Sequence, residues 1–172
     1  MRLTFAAAAL ILTLALPGLA EAGNNIQEQG KFGLGVALGY PGNGLSMNYF
    51  VMDETAVQVD VSFWAPGGSW FGVGLRADFL WYPIKIHGWD WGDLTWYWGP
   101  GINFHYFNWT GSGKGAGYAS VGAELPIAIG LQFKEVPIDL NLEAVPILNI
   151  LGNGGVNIGF GIAGVLNARY YF

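Results

Sequence analysis

The most constraining feature of this sequence is a two-residue alternation. Large apolar side chains take one parity, and small, polar or charged side chains take the other. In one segment the apolar set is Val57, Val59, Val61 and Phe63, and the set between them is Gln58, Asp60 and Ser62. Successive side chains of a β-strand point to opposite faces of the sheet. The alternation therefore predicts strands with one apolar face and one polar face.

Eight segments of the chain carry this pattern, and turn-forming or charged residues separate them. They are Lys31–Gly39, Gly44–Val51, Ala56–Trp64, Phe71–Tyr82, Leu94–Tyr106, Ala119–Phe133, Ile138–Val145 and Asn157–Phe172. Pro100, Pro126 and Pro146 fall inside these segments. Because proline cannot donate a ladder hydrogen bond, we predict bulges or strand ends at all three.

Charge falls on only one parity of the predicted strands. The charged residues inside strands two to eight are Asp60, Arg76, Asp78, Glu124, Asp139, Glu143 and Arg169. Each of them shares its parity with the small and polar residues. A Lys or Arg on the lipid-facing side of a membrane barrel costs about 2–4 kcal/mol at the midplane. The pattern is therefore the one expected if the apolar parity faces lipid.

A soluble lipocalin-like barrel or a sandwich would turn the apolar parity inward. Eight strands enclose room for only modest side chains, and the polar parity is rich in Gly and Ala. The sequence therefore favours the bulky set outside.

Composition supports burial in lipid. Charged residues make up 11% of the chain and aromatic residues 16%, and there are 28 glycines. The longest uncharged stretch, Ala144–Ala168, contains Pro146 and many glycines, which suit strands better than a membrane helix. A closed barrel is the other structure that satisfies its backbone within a bilayer. We predict an all-β fold, an eight-stranded antiparallel up-and-down transmembrane β-barrel.

The N-terminal residues have the pattern of a secretory signal. Residues 1–22 combine Arg2, an apolar run and an Ala20-Glu21-Ala22 cleavage site, so we expect their removal. Residues 23–30 are then a short periplasmic segment, and residues 31–172 form the barrel. Without Arg2 and Glu21, seven basic and twelve acidic residues become six and eleven, and the net charge stays −5. Such an acidic chain is not expected to bind nucleic acid, and it has no cysteine.

Aromatic residues cluster near both ends of the predicted strands, as expected for interfacial belts. One belt is predicted from Trp81, Tyr82, Trp96 and Trp98, and the other from Trp64, Trp70, Tyr106 and Trp109.

Several blocks resemble a family of small, mostly uncharacterised bacterial outer-membrane β-barrel proteins of the OmpA/OmpX type. The blocks are Phe32–Gly39, Gly44–Ser46, Asp53–Ala56, Ala77–Trp81, Trp98–Ile102 and Ala168–Phe172. The resemblance implies a monomer in the lipid bilayer of the cell outer membrane. It also implies that periplasmic chaperones and the barrel assembly machinery act during biogenesis, with Tyr170 and Phe172 as the C-terminal assembly signal.

None of the cofactor-binding or catalytic motifs suggested by the sequence meets its structural requirements. Gly159–Gly164 matches a dinucleotide fingerprint, but that motif needs a following helix, and the chain ends eight residues later. His105 and Ser120 suggest a lipid-acting hydrolase, but a triad also needs an orienting carboxylate and an oxyanion site. We predict no enzyme and no catalytic, cofactor-binding or metal-binding residues.

The lumen charges allow two further interpretations. Five acids against two arginines give −3. The first interpretation is a structural or envelope-integrity protein whose interior network bridges strands and fills the lumen. The alternative is a narrow cation-preferring pore, for which glycines on the inner parity leave space.

Overall fold

The computed structural model describes residues 26–39, 42–65, 70–109, 117–152 and 155–172, without the side chains of residues 70, 109, 151, 152 and 155–157. The expected signal segment lies outside these residues. No helix long and apolar enough to cross a membrane occurs in the described part of the chain.

The described chain is built from ten strand segments. They are β1 (Phe32–Gly39), β2 (Asn43–Met52), β3 (Thr55–Trp64), β4 (Trp70–Gly88), β5 (Gly92–Trp98), β6 (Gly101–Trp109), β7 (Tyr118–Glu124), β8 (Ile127–Phe133), β9 (Ile138–Gly152) and β10 (Gly155–Tyr171). Strand β4 pairs with both β5 and β6, and β9 pairs with both β7 and β8. Segments β5 and β6 are therefore two parts of one interrupted strand, as are β7 and β8. The wall of the barrel has the predicted eight strands.

The wall closes on itself because β1 pairs with both β2 and β10, and every pairing is antiparallel. The stagger of the barrel follows from tracing the paired residues once around it. From Gly33 the trace passes through Asn48, Gln58, Asp78, Gly101, Glu124 and Ile147 to Gly161. The direct partner of Gly33 on β10 is Tyr171, ten residues further along. Eight strands with a stagger of ten tilt by about 40° from the barrel axis.

Two strands are longer than predicted. Strand β4 continues to Gly88 and β9 continues to Gly152. The sequence predicts a turn from Pro83 to Asp93, between the fourth and fifth segments. That prediction is wrong, because most of this stretch forms the end of a β4–β5 hairpin. Register shifts between Trp81 and Ile84, and again before His87, accommodate the proline within the strand.

The prolines behave in two ways. Pro100 and Pro126 lie at the interruptions between β5 and β6 and between β7 and β8, as predicted. Pro146 instead lies inside β9 and pairs with Ile162 without a register shift, so the prediction of a bulge or strand end there is wrong. Its carbonyl accepts a hydrogen bond from the Leu125 amide at 3.0 Å. The missing donor of Pro146 therefore faces the interrupted neighbour, where the ladder is already broken.

The two ends of the barrel differ. We call the end that carries Ile26 and Phe172 the terminal end, and the opposite end the far end. Short connections join β2 to β3 and β8 to β9 at the terminal end.

Candidate functional site in the barrel lumen

All seven charged residues predicted on the polar parity point into the lumen. None of Asp60, Arg76, Asp78, Glu124, Asp139, Glu143 and Arg169 is more than 5% exposed. The structure brings them together in two connected clusters, which we call the lumen network.

Arg76 forms the centre of the first cluster. Its guanidinium lies 2.6 Å from Glu124, 3.0 Å from Asp78, 3.1 Å from Glu143 and 3.2 Å from Asp60. One cation thus serves four carboxylates from four strands. Buried charges are tolerated when they are paired in this way.

Glu143 connects this cluster to the rest of the lumen. Its carboxylate accepts hydrogen bonds from Gln58 at 3.0 Å, Tyr97 at 2.7 Å and Asn167 at 2.8 Å. Gln58 on β3 and Glu143 on β9 stand on opposite walls of the barrel. The two side chains, joined by this hydrogen bond, therefore span the full width of the lumen.

Arg169 forms the second cluster, nearer the terminal end. Its guanidinium donates to both carboxylate oxygens of Asp139, at 3.1 and 2.9 Å, and to Gln58 at 2.5 Å. The Tyr171 hydroxyl also donates to Asp139, at 2.8 Å. Because Gln58 contacts both Arg169 and Glu143, the two clusters form one network.

An aromatic layer closes the lumen at the terminal end. Phe50 packs against Tyr82 with ring centroids 5.2 Å apart, and Tyr82 packs against Tyr97 at 4.5 Å. Ile26, only 3% exposed, belongs to the same cluster, so the segment before β1 covers this mouth from below. The layer separates the network from solvent on that side.

This layer corrects two predictions. Bulky side chains are not confined to the outside, and Tyr82, which is 2% exposed, lies in the lumen and not in an interfacial belt. Glycine supplies the space for them. A Cβ on Gly33 would lie 2.7 Å from the Tyr171 ring.

Apolar side chains lie above the network, toward the far end. Ala37, Val145, Ile147, Ala163 and Val165 form a second buried cluster, and none of them is more than 5% exposed. Closer to the far mouth, Trp64 packs edge-on against Phe107 at 4.2 Å and lies over Gly72. Trp64 therefore faces the lumen and not the predicted belt.

The other belt and signal residues occupy several positions. Trp81 and Trp98 face outward and contact each other at 5.4 Å, and Trp96 shares their parity. Tyr106 also faces outward, with 36% of its surface exposed. The side chains of Trp70 and Trp109 lie outside the described residues. At the terminal end Tyr170 packs against Phe172, with 5.0 Å between ring centroids.

The lumen carries more negative than positive charge. Neither the Asp60 nor the Asp78 Oδ1 atom has a hydrogen-bond partner among the described residues. Within the same residues, no three His, Cys, Asp or Glu side chains are grouped to hold a metal ion. The five acids and two arginines leave an excess of three negative charges if all are ionised.

A separate ion cluster lies at the terminal rim, where the β4–β5 hairpin projects beyond the barrel. Asp93 lies 2.6 Å from Lys85 and 3.1 Å from Lys134. Partial burial would raise the pKa of Asp93. The hydrogen bonds and charges of the two lysines outweigh it, so that the pKa lies below its usual value.

The predicted charge network leaves out four neutral members, Gln58, Tyr97, Asn167 and Tyr171, although the predicted polar parity includes Gln58 and Asn167. Parity was the signal that identifies them. Tyr97 alternates with the outward Trp96 and Trp98, and Tyr171 lies between the outward Tyr170 and Phe172.

The geometry defines a transmembrane β-barrel of eight strands whose interior is filled by side chains. Its fold is that of the small eight-stranded outer-membrane β-barrels. The chain is similar to the crystal structure of the N-terminal β-barrel domain of Pseudomonas aeruginosa OprF. The TM-score is 0.59 at 13% identity, over 85% of this chain and 100% of that one. It is also similar to Neisserial surface protein A (NspA), with a TM-score of 0.52 at 15% identity, over 83% of this chain and 94% of that one. No protein-family model matches the chain, and no curated protein matches it by sequence.

Proposed function

We propose that this chain is an outer-membrane barrel protein with a structural, envelope-integrity role, and that its lumen does not conduct. The observation that carries the proposal is the hydrogen bond between Gln58 and Glu143 across the lumen. With the contacts of Arg76 and Arg169 it joins opposite walls at mid-height. A plug bonded in this way resists both collapse of the barrel and passage of ions.

The layers on either side strengthen the proposal. An ion entering at the terminal end would have to displace Tyr82 and Tyr97, and one entering at the far end would meet Val145, which is fully buried. Ions need either water or replacement ligands along their path. The side chains of the apolar layer offer no oxygen ligand, and in the aromatic layer the Tyr97 hydroxyl is already bonded to Glu143.

The second candidate is a narrow cation-preferring pore. The excess negative charge around Arg76 favours it, because acidic rings select cations. Conduction through such a pore requires the aromatic layer and the apolar layer to open.

Enzymatic chemistry is not part of the proposed function. His105 and Ser120 are paired across the β6–β7 ladder, but both turn into the lumen and are 3% exposed. A lipid-acting hydrolase needs its reactive groups within reach of lipid.

Planar-bilayer recording of the refolded full barrel tests the proposal. We expect no current steps above the protein-free background. A Gln58→Ala/Glu143→Ala variant removes the cross-lumen bond and should raise the frequency of such steps, which shows that the assay detects opening. Cation-selective steps of the unchanged protein that weaken in Asp78→Asn and Glu124→Gln would replace the proposal with the pore.

The proposed location places the terminal end in the periplasm and the far end outside the cell. Periplasmic chaperones and the barrel assembly machinery would then read Tyr170 and Phe172, and the product would be a monomer. The exposed ring of Phe172, 54% accessible on the lipid-facing parity, supports this. Deleting Phe172 should reduce the heat-modifiable form in outer-membrane fractions several-fold, while in vitro folding into detergent stays unchanged. Equal amounts of the two proteins in the membrane would contradict the assignment.

A further inference from the structure

The wall of the barrel is uneven beside β10. The last residue pair between β1 and β10 is Gly39 with Val165. Strand β10 continues from there toward the far end, from Gly164 back to Gly155, paired only with β9. On its other side this stretch has no partner strand among the described residues.

The direction of the backbone groups along this edge follows from the pairs below it. The Phe172 amide donates to Phe32 of β1, whereas the Tyr171 amide donates to Pro137, on the β9 side. Since alternate residues of a strand point to opposite neighbours, even-numbered residues of β10 face the β1 side. The N–H and C=O groups of Phe160 and Ile162 therefore point to the open side. The register against β9 shifts between Val156 and Gly159, so the alternation is not extended to Ile158.

The side chains of Ile158, Phe160 and Ile162 are the most exposed large apolar groups of the described chain. Ile158 is 71% exposed, Phe160 72% and Ile162 70%. Between them lie Gly159 and Gly161, where an added Cβ would meet nothing within 4 Å. This edge therefore has one face with exposed apolar side chains and an opposite face that carries only glycine.

The sequence does not protect this edge. Natural proteins usually blunt a free strand with lysine, proline or another charge. Here no charged residue occurs between Ala144 and Ala168, and no proline follows Pro146. Because unpaired backbone groups are costly in an apolar surrounding, such an edge gains free energy from a partner strand.

A second copy of the chain is a poor partner for geometric reasons. Two copies inserted the same way present β10 in the same direction, so the two strands cannot pair antiparallel. With a tilt of about 40° each, two-fold-related strands would cross instead of aligning. A second open edge among the described residues, β4 from Pro83 to Gly88 on its β3 side, lies at the terminal end, so two copies inserted the same way cannot join it to β10.

We infer that the β10 edge from Ile158 to Ile162 is a docking site for an extended segment of another protein, added as a β-strand. The segment runs antiparallel to β10, in line with β1. It carries apolar residues on the side of Phe160 and small residues on the lumen side. Main-chain hydrogen bonds supply the attraction, and the apolar row supplies the selection. The inference depends on the fold and not on the proposed integrity role.

Amide hydrogen exchange of the folded full chain in lipid nanodiscs tests the inference. The probe is a synthetic peptide with the sequence of Phe32–Leu38. In the barrel this segment of β1 pairs with the part of β10 that follows the open edge, from Leu166 to Tyr171. Without peptide, the amides of Phe160 and Ile162 should exchange faster than those of Gly159 and Gly161, which face β9. With peptide, these two even-numbered amides should slow by about tenfold or more, and the odd-numbered ones should not change.

Two variants of one residue provide the control. Phe160→Pro removes a donor on the open edge and leaves the β9 ladder intact, so the barrel should fold and the peptide effect should disappear. Phe160→Ala keeps the donor and should retain protection, at a higher peptide concentration. Slow exchange of the even-numbered amides without peptide, protection that depends on protein concentration alone, or equal protection of both parities would each overturn the inference. If Phe160→Pro does not fold, loss of parity-selective protection in Ile162→Pro decides the case.

Discussion

Replacing Arg76 with methionine should be among the most destabilising single changes in the lumen. Methionine replaces the aliphatic part of the arginine side chain and carries no charge, so the substitution leaves four carboxylates at 2.6–3.2 Å from a position that no longer holds a cation. Removing one partner of a buried ion pair typically costs about 3–5 kcal/mol. Because the formal charge of the lumen changes from −3 to −4, we expect a loss at the upper part of that range.

Asp78→Asn is the matched control at the same guanidinium. It removes one surplus negative charge, and the amide oxygen can still accept the 3.0 Å hydrogen bond from Arg76. We therefore expect a change within about 1 kcal/mol of zero. The contrast between the two variants separates the role of charge balance from that of packing.

Urea unfolding in lipid vesicles, followed by tryptophan fluorescence, measures both variants. With an m-value of about 1–3 kcal/mol/M, a loss of about 4 kcal/mol shifts the midpoint by more than about 1 M. The Arg76→Met shift should also shrink in acidic buffer, where protons replace the missing cation. Equal losses in the two variants, or a loss below about 1 kcal/mol in Arg76→Met, would refute the reasoning.

Three further predictions concern the wall and the terminal rim. Gly33→Ala places a Cβ 2.7 Å from the Tyr171 ring and should cost about 1–3 kcal/mol by thermal melting, whereas Gly159→Ala, in open space, should not. Ile102→Arg puts a charge on a lipid-facing position that is 65% exposed and should cost about 2–4 kcal/mol in vesicles, and an unchanged midpoint would contradict the assignment of faces. The lowered pKa of Asp93 means that its ion pairs contribute stability above the ordinary carboxyl pKa, and that this contribution disappears as pH falls through the lowered value. Protection of the β4–β5 hairpin amides, measured relative to their intrinsic exchange rates at each pH, should therefore fall on acidification by an amount worth no more than about 1 kcal/mol, and Asp93→Asn should abolish this dependence.

The sequence predicted the strand number and the side of each charged residue because both depend on the two-residue period. That period is local, and a charge on the wrong parity would be costly in lipid. The ends of the strands were less predictable from the sequence. Nothing in the sequence around Pro83 distinguishes a turn from a bulged strand, and the extension of β9 depends on its pairing with β10.

The sequence predicts which residues lie in the lumen, but not which of them contact each other. Parity alone brings Gln58, Glu143 and Arg169 to the interior. Which of them meet across it depends on the stagger of ten, and that number appears only when the wall closes. The same holds for Tyr82, whose position beside Trp81 suggested a belt although its parity turns it inward.

The sealed lumen and the open strand edge together restrict where this protein can meet a partner. The lumen network already uses Glu143 and both arginines in bonds between walls, so a ligand there would have to break buried ion pairs at several kcal/mol each. The lipid-facing wall presents side chains but no free backbone, because neighbouring strands pair throughout the central belt. Among the described residues, the far-end edge of β10 combines unpaired backbone with the most exposed large apolar side chains. A partner that recognises main chain can therefore add at that edge without disturbing the network. Because it binds only the folded barrel, it should raise the stability of the unchanged protein and of Arg76→Met against urea by the same free energy.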